Sequence, residues 1–254
     1  MTMNTRISVT NRTICYELYK QAGLASTEDT PLTCLSRQIR VLLNNNSYDK
    51  ILVREKDLSE EEYHEFIADI FSAQHSYPAA INLTSNIIVH NFPAVAEEFG
   101  TDLHLPFSMF TNLLGHSGNS TQNNFQNFLS NSSVLASDTS VVTSDNDLIH
   151  GSTIAFTATS SDSFRRKYPH IKRIGTSIHS VDDAVFAESH GADYITAGPI
   201  FTTDCKKGLP GRGIDWLKSI CSAVSIPVYA IGGISEANVS MLSDCNISGY
   251  CMMS

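Results

Sequence analysis

Ile226-Pro227-Val228-Tyr229-Ala230-Ile231-Gly232-Gly233-Ile234 is a short apolar run that breaks on two glycines. Its length and its β-branched and aromatic residues predict a buried strand over Val228–Ile231. The paired glycines then predict a tight turn into a helix, Glu236–Ser243. Working outward, Tyr194–Ala197 predicts a strand, Ile214–Val224 a helix and Gly249–Met253 a last strand. Before them come a strand at Arg173–Ser177 and a helix at Val181–His190, which Gly191 ends. The first half repeats the rhythm less cleanly. Strands are expected at Arg6–Thr10, Lys50–Arg54, Asn86–His90 and Asp102–Leu105, and helices at Leu35–Leu43, Glu60–Ser72 and Ala94–Phe99. Ser59 can cap the second of these helices, with Glu62 placed for a capping box.

Strands that alternate with helices predict βα units and a parallel sheet. Eight strands in 254 residues suit a single (β/α)8 TIM barrel, one domain over 1–254. With a short one in the polar stretch that follows the fourth strand, only seven helices accompany them. The chain stops where the eighth should begin, so the last helix is expected to be missing and the apolar surface beneath it exposed. More than half of residues 111–164 are Ser, Thr, Asn or Gln. That composition buries too little apolar surface to offset its ordering entropy, so an insertion after the fourth strand is expected, mostly loop, with a short helix around Asn124–Leu129.

Composition narrows the classes. The formal net charge is −9, with no basic tract, which argues against nucleic acid or an anionic membrane as partner. Residues Met1–Val9 do not read as a secretory signal, and no apolar run approaches the ~20 residues of a membrane span. Six scattered cysteines without metal spacing read as buried thiols of a cytoplasmic protein. A homo-oligomer is compatible with all of this.

Four strand ends carry chemistry. Ala197-Gly198-Pro199-Ile200-Phe201-Thr202-Thr203-Asp204-Cys205-Lys206-Lys207-Gly208-Leu209-Pro210-Gly211-Arg212-Gly213 follows a strand and leads into a helix. It is therefore a βα loop on the face where barrel active sites sit. Its hydroxyls, cations and glycines suit an anion. Gly232 and Gly233 would present backbone amides to a phosphate at the loops after strands seven and eight, with Met253 and Ser254 beside them. Arg54 and Lys56, on one side of a strand by alternation, pair two cations. Gly175-Thr176-Ser177-Ile178-His179 sets a hydroxyl and an imidazole at the mouth.

Taken in order, Arg54-Glu55-Lys56, Ser177-Ile178-His179, Gly198-Pro199-Ile200-Phe201, Lys206-Lys207 and Ile231-Gly232-Gly233-Ile234 resemble the thiamine phosphate synthase/TenI family. The resemblance implies an enzyme of thiamin biosynthesis acting on a phosphorylated thiazole. In a synthase, an aminopyrimidine diphosphate would lose its diphosphate to Mg2+, Arg54, Lys56, Thr203 and Lys206. Ser177 would then sit near the reacting centre, and Gly233, Met253 and Ser254 would hold the thiazole phosphate. The synthase pattern has Asn-Asp where this chain has His90-Asn91, and no carboxylate in the run His104–Met109, so neither metal position is met. Cys205 stands for a threonine of the diphosphate loop, and Leu52 for a glutamine. Asp204-Cys205-Lys206-Lys207-Gly208-Leu209 and Leu105-Pro106 resemble TenI, so the reading leans to a TenI-like thiazole tautomerase. Pro199 replaces the histidine of that pattern, and His179 is expected to move the proton, with His104 or Cys205 behind it. A non-catalytic binder of thiazole or thiamin phosphate is the remaining alternative.

Overall fold

The structure is a computed structural model in which residues 5–115, 160–203 and 210–253 are described. Eight parallel strands close into a barrel in sequence order. They are β1 (Thr5–Val9), β2 (Lys50–Val53), β3 (Ile87–His90), β4 (Asp102–Leu105), β5 (Ile174–Ile178), β6 (Tyr194–Ala197), β7 (Val228–Ile231) and β8 (Gly249–Met253). Closure comes from β1 against β8, with Ile7 opposite Cys251 and Val9 opposite Met253. The fold is thus the expected (β/α)8 TIM barrel.

Around it run α1 (Arg12–Gln21), α2 (Pro31–Asn44), α3 (Glu60–Ser72), the short α4 (Leu83–Asn86), α5 (Pro93–Phe99), α6 (Phe107–Leu114), α7 (Ser160–Lys167), α8 (Val181–Ser189) and α9 (Gly213–Ala223). Ser59 caps α3 as expected, its hydroxyl accepting from the Glu62 amide at 3.2 Å while Glu62 accepts from the Ser59 amide at 2.8 Å.

Three expectations need correction. The polar segment does not begin at Thr111 or run to Phe164 as loop: α6 extends to Leu114 and α7 starts at Ser160, both anchored by buried phenylalanines, Phe110 and Phe164. The rest of it, with the helix expected at Asn124–Leu129, lies outside the described residues. Between β7 and β8 only a 3-10 turn forms, Val239–Leu242. There the Asn238 side chain accepts from the Ser235 amide and donates to the Gly233 carbonyl, offering the backbone a local alternative to a helix. And α1 and α4 are present where no helix is expected.

Two apolar layers follow from strand alternation. Outward residues such as Ile51, Val53, Ile87, Val89, Leu103 and Ile195 pack under the helices. Met252 belongs to this layer and is buried, so the outer side of β8 is not the bare apolar surface that a missing last helix predicts. Inward residues Ile7, Val9, Leu52, Ile88, Tyr194, Tyr229 and Cys251 fill the barrel. Gly175 makes room for this filling: a Cβ there would stand 2.0 Å from the Tyr194 ring. At the N-terminal end, buried Asp102 accepts from Lys50 Nζ at 2.9 Å and Arg173 Nη2 at 2.6 Å. Polar clusters at that end of a barrel serve stability, and the other end is left for chemistry. The five described cysteines are free and buried.

Candidate functional site

At the C-terminal end, alternation along β3 to β6 turns His90, His104, Ser177 and Thr196 inward, one layer above the apolar filling. The registers set His90 beside His104 and Ser177 beside Thr196. Thr196 Oγ1 donates to Ser177 Oγ at 3.0 Å, and His104 Nε2 lies 2.9 Å from the same oxygen. The His90 and His104 rings stack with centroids 6.2 Å apart, and Tyr194 lies beneath His104 at 5.7 Å.

Both imidazoles are held neutral. Burial, then the charges of His104, Arg54 and Lys56, push His90 down to about 2 from 6.5; burial and Arg54 push His104 down to about 3. The Nδ1 atoms of both rings are buried without a partner. A buried N–H without an acceptor is the rarer arrangement, so the His104 proton belongs on Nε2, donated to Ser177. Ser177 Oγ then accepts twice, from Thr196 and His104, which leaves its own O–H available as a donor. The pair looks like a serine–histidine nucleophile and is not one: an imidazole at about 3 is a poor base at neutral pH.

Arg54 and Lys56 follow β2 at this end of the barrel, and their positive charge reaches His90, that of Arg54 also His104. The strand ends at Val53, so Lys56 sits in the following turn and not on the strand that alternation predicts. Glu55 between them faces the other way, accepting from Thr10 Oγ1 at 2.6 Å and Arg12 Nη1 at 3.2 Å. Helix α3 braces the pair of strand ends: Tyr63 Oη donates to the Val53 carbonyl at 2.6 Å and accepts from the His90 amide at 2.9 Å.

After β5, the exposed His179 takes its orientation from two bonds. Its amide donates to Asp183, and Nδ1 donates to the Gly198 carbonyl at 3.0 Å. The carbonyl can only accept, so Nδ1 carries the proton of this bond and Nε2 is left outside it. Beyond β7, Gly232 and Gly233 take φ +97° and +69°. Their carbonyls accept from the Phe201 amide and Asn238 Nδ2, so what the turn can offer an anion is its donors. The turn packs on the loop after β6: a Cβ on Gly232 would stand 2.6 Å from Pro199, and one on Gly233 2.4 Å from the Thr202 carbonyl. Thr203 is half-buried beside this contact, and Met253 is exposed at the end of β8.

The fold therefore carries Arg54, Lys56, Asn91, Ser177, His179, Thr203, Gly232, Gly233 and Met253 to strand ends on one face. Cys205, Lys206 and Ser254 lie outside the described residues. Sequence reading passed over Thr196 and Tyr63, and took His90 only as a departure; inward alternation along β3 and β6 was the available signal for His90 and Thr196.

The Mg2+ that the resemblance implies does not fit this floor. Three buried side-chain atoms there lack partners, His90 Nδ1, Asn91 Oδ1 and His104 Nδ1: two nitrogens and a single amide oxygen, where Mg2+ takes oxygen ligands and is usually held by one or two carboxylates. Among the described residues, no three His, Cys, Asp or Glu side chains gather as a metal site.

Comparison with known proteins agrees with the fold. The family described as "Thiamine monophosphate synthase" matches residues 149–254. Over those residues the chain is similar to the thiamine phosphate synthase/TenI family. A thiamine-phosphate synthase of Clostridium tetani is 45% identical over 83 residues, 33% of this chain and 40% of that relative. One of Pyrococcus horikoshii is 43% identical over 81 residues, 32% of this chain and 39% of the relative. The matched stretch thus spans about two fifths of these relatives' length. A thiamine phosphate pyrophosphorylase structure from Pyrococcus furiosus superposes with a TM-score of 0.58 over 100% of this chain and 87% of that one, at 19% identity, which shows a shared fold. No helix among the described residues is long and apolar enough to cross a membrane.

Proposed function

We propose that this chain is a thiamin-biosynthesis enzyme of the synthase kind, joining an aminopyrimidine diphosphate to thiazole phosphate with release of diphosphate. The observation that carries the reading is the placement of Arg54 and Lys56 at the barrel end that carries a floor of neutral polar groups. Such a mouth stabilises negative charge that develops on a leaving group; it is poorly supplied for moving protons. In this scheme Arg54, Lys56, Thr203 and Lys206 meet the diphosphate, with Asn91 and Cys205 beside them. The Ser177 hydroxyl, oriented by Thr196 and His104, donates a hydrogen bond near the reacting centre. The donors of the Gly232-Gly233 turn, with Met253 and Ser254, hold the thiazole phosphate. Catalysis is then charge stabilisation and positioning. Relatives named thiamine-phosphate synthase support this over the tautomerase to which the sequence leans.

The tautomerase keeps one observation in its favour, the exposed His179, oriented through Nδ1 with Nε2 outside that bond. Pro199, in the place of the TenI histidine, cannot share that work.

The test is product analysis by mass spectrometry, with aminopyrimidine diphosphate and thiazole phosphate, in parallel with and without Mg2+. Thiamin phosphate should form catalytically. Ser177→Ala should slow it by roughly 10²-fold, the usual cost of one lost transition-state donor. No product from folded protein rejects the synthase. Conversion of the carboxythiazole tautomer, lost in His179→Ala, would then establish the tautomerase, and ligand-raised melting without turnover a binder.

A further inference from the structure

We infer that the mouth holds its diphosphate-like anion without a divalent cation seated on the protein, using Arg54 and Lys56 at the barrel end that carries His90, Asn91 and His104. This rests on reading the mouth as an anion site. Four observations converge. The unpartnered atoms of the floor are His90 Nδ1, Asn91 Oδ1 and His104 Nδ1, none of them an anionic oxygen. The two imidazoles lie 20° from parallel with centroids 6.2 Å apart. What they offer is nitrogen, which suits transition metals, while Mg2+ takes oxygen. Among the described residues, the carboxylates that flank the mouth are committed elsewhere, Glu55 to Thr10 and Arg12, Asp57 to Arg12, and Asp183 to the His179 amide. Lastly, the Arg54 and Lys56 charges that reach His90 repel a second cation.

A free polyphosphate anion is therefore a better ligand for this mouth than its Mg2+ complex, which carries less negative charge and brings a cation into a cationic seat. Mg2+ in excess acts as a competitor for the anion.

Titration calorimetry with inorganic pyrophosphate, in EDTA and in excess Mg2+, decides it. Binding should be present in EDTA and several-fold weaker with Mg2+. Lys56→Ala, an exposed change that leaves the core untouched, should weaken the EDTA binding by roughly tenfold, about 1.4 kcal/mol. Pyrophosphate that binds only with Mg2+, or tenfold tighter with it, overturns this inference and leaves the anion-site reading intact. Binding in EDTA that neither Lys56→Ala nor Arg54→Ala weakens puts the anion elsewhere and overturns it too. No binding under either condition, by protein that melts cooperatively, overturns the anion-site reading and the inference together.

Discussion

Gly233 and Gly23 share a backbone conformation, φ +69°, and differ in what surrounds them. A Cβ on Gly233 would meet the Thr202 carbonyl at 2.4 Å, while one on Gly23 would meet nothing within 4 Å. Alanine at Gly23 therefore tests positive φ alone and should cost on the order of 1 kcal/mol. Alanine at Gly233 adds an overlap with backbone, worth roughly 1–3 kcal/mol more. Urea denaturation of the two variants measures the difference; equal losses would mean that the turn does not press on the loop after β6. The comparison bears on the site. Both glycines of the pair are demanded by backbone conformation and by packing, so Gly-Gly in the sequence is explained before any ligand is invoked. What points to an anion is where the turn stands, on the same face as Arg54 and Lys56.

Helix α3 ties the outer layer to the mouth through one phenol. Tyr63→Phe would keep the ring in the core but remove the partner of the Val53 carbonyl and of the His90 amide. Leaving buried groups unpaired costs roughly 1–3 kcal/mol, and anion binding should weaken with the loss, because both strand ends that carry Arg54 and His90 lose their brace. Chemical denaturation with pyrophosphate titration checks both; a stable variant with unchanged binding would reject the brace. Elements like α3 were legible in the sequence because they carry two agreeing signals, a capping box and a buried stripe of Tyr63, Phe66, Ile67 and Ile70. Strands β4, β6, β7 and β8 were equally plain, being short β-branched or apolar runs between turn residues. Helix α1 was not, since it buries only Cys15 and Tyr19 of its ten residues. The Glu236–Ser243 segment misled in the other direction: its helical composition lost to the local bonds of Asn238. Positions of Arg54, Ser177 and His179 were readable from strand ends, whereas Thr196 and Tyr63 act through cross-strand contacts that only the closed barrel creates.

The barrel as a whole buries two imidazoles whose ordinary state at mildly acid pH is charged. Folded, His90 is pushed down to about 2 and His104 to about 3, mainly by burial; unfolded, each returns to about 6.5. Below 6.5 the unfolded chain therefore binds more protons than the folded one, and folding loses stability as pH falls. The contribution is whole above 6.5, drains progressively below it, and stops changing only near the folded values. Each histidine steepens the slope by about 1.4 kcal/mol per pH unit once its unfolded form is protonated. Urea midpoints between pH 7 and pH 4 should accordingly fall more steeply for the native chain than for His90→Asn. The two proteins share every carboxylate, so the difference in slope isolates one imidazole. An unchanged slope would mean that His90 takes up its proton within the fold, and would remove the neutral floor on which both the donor role of Ser177 and the anion seat depend.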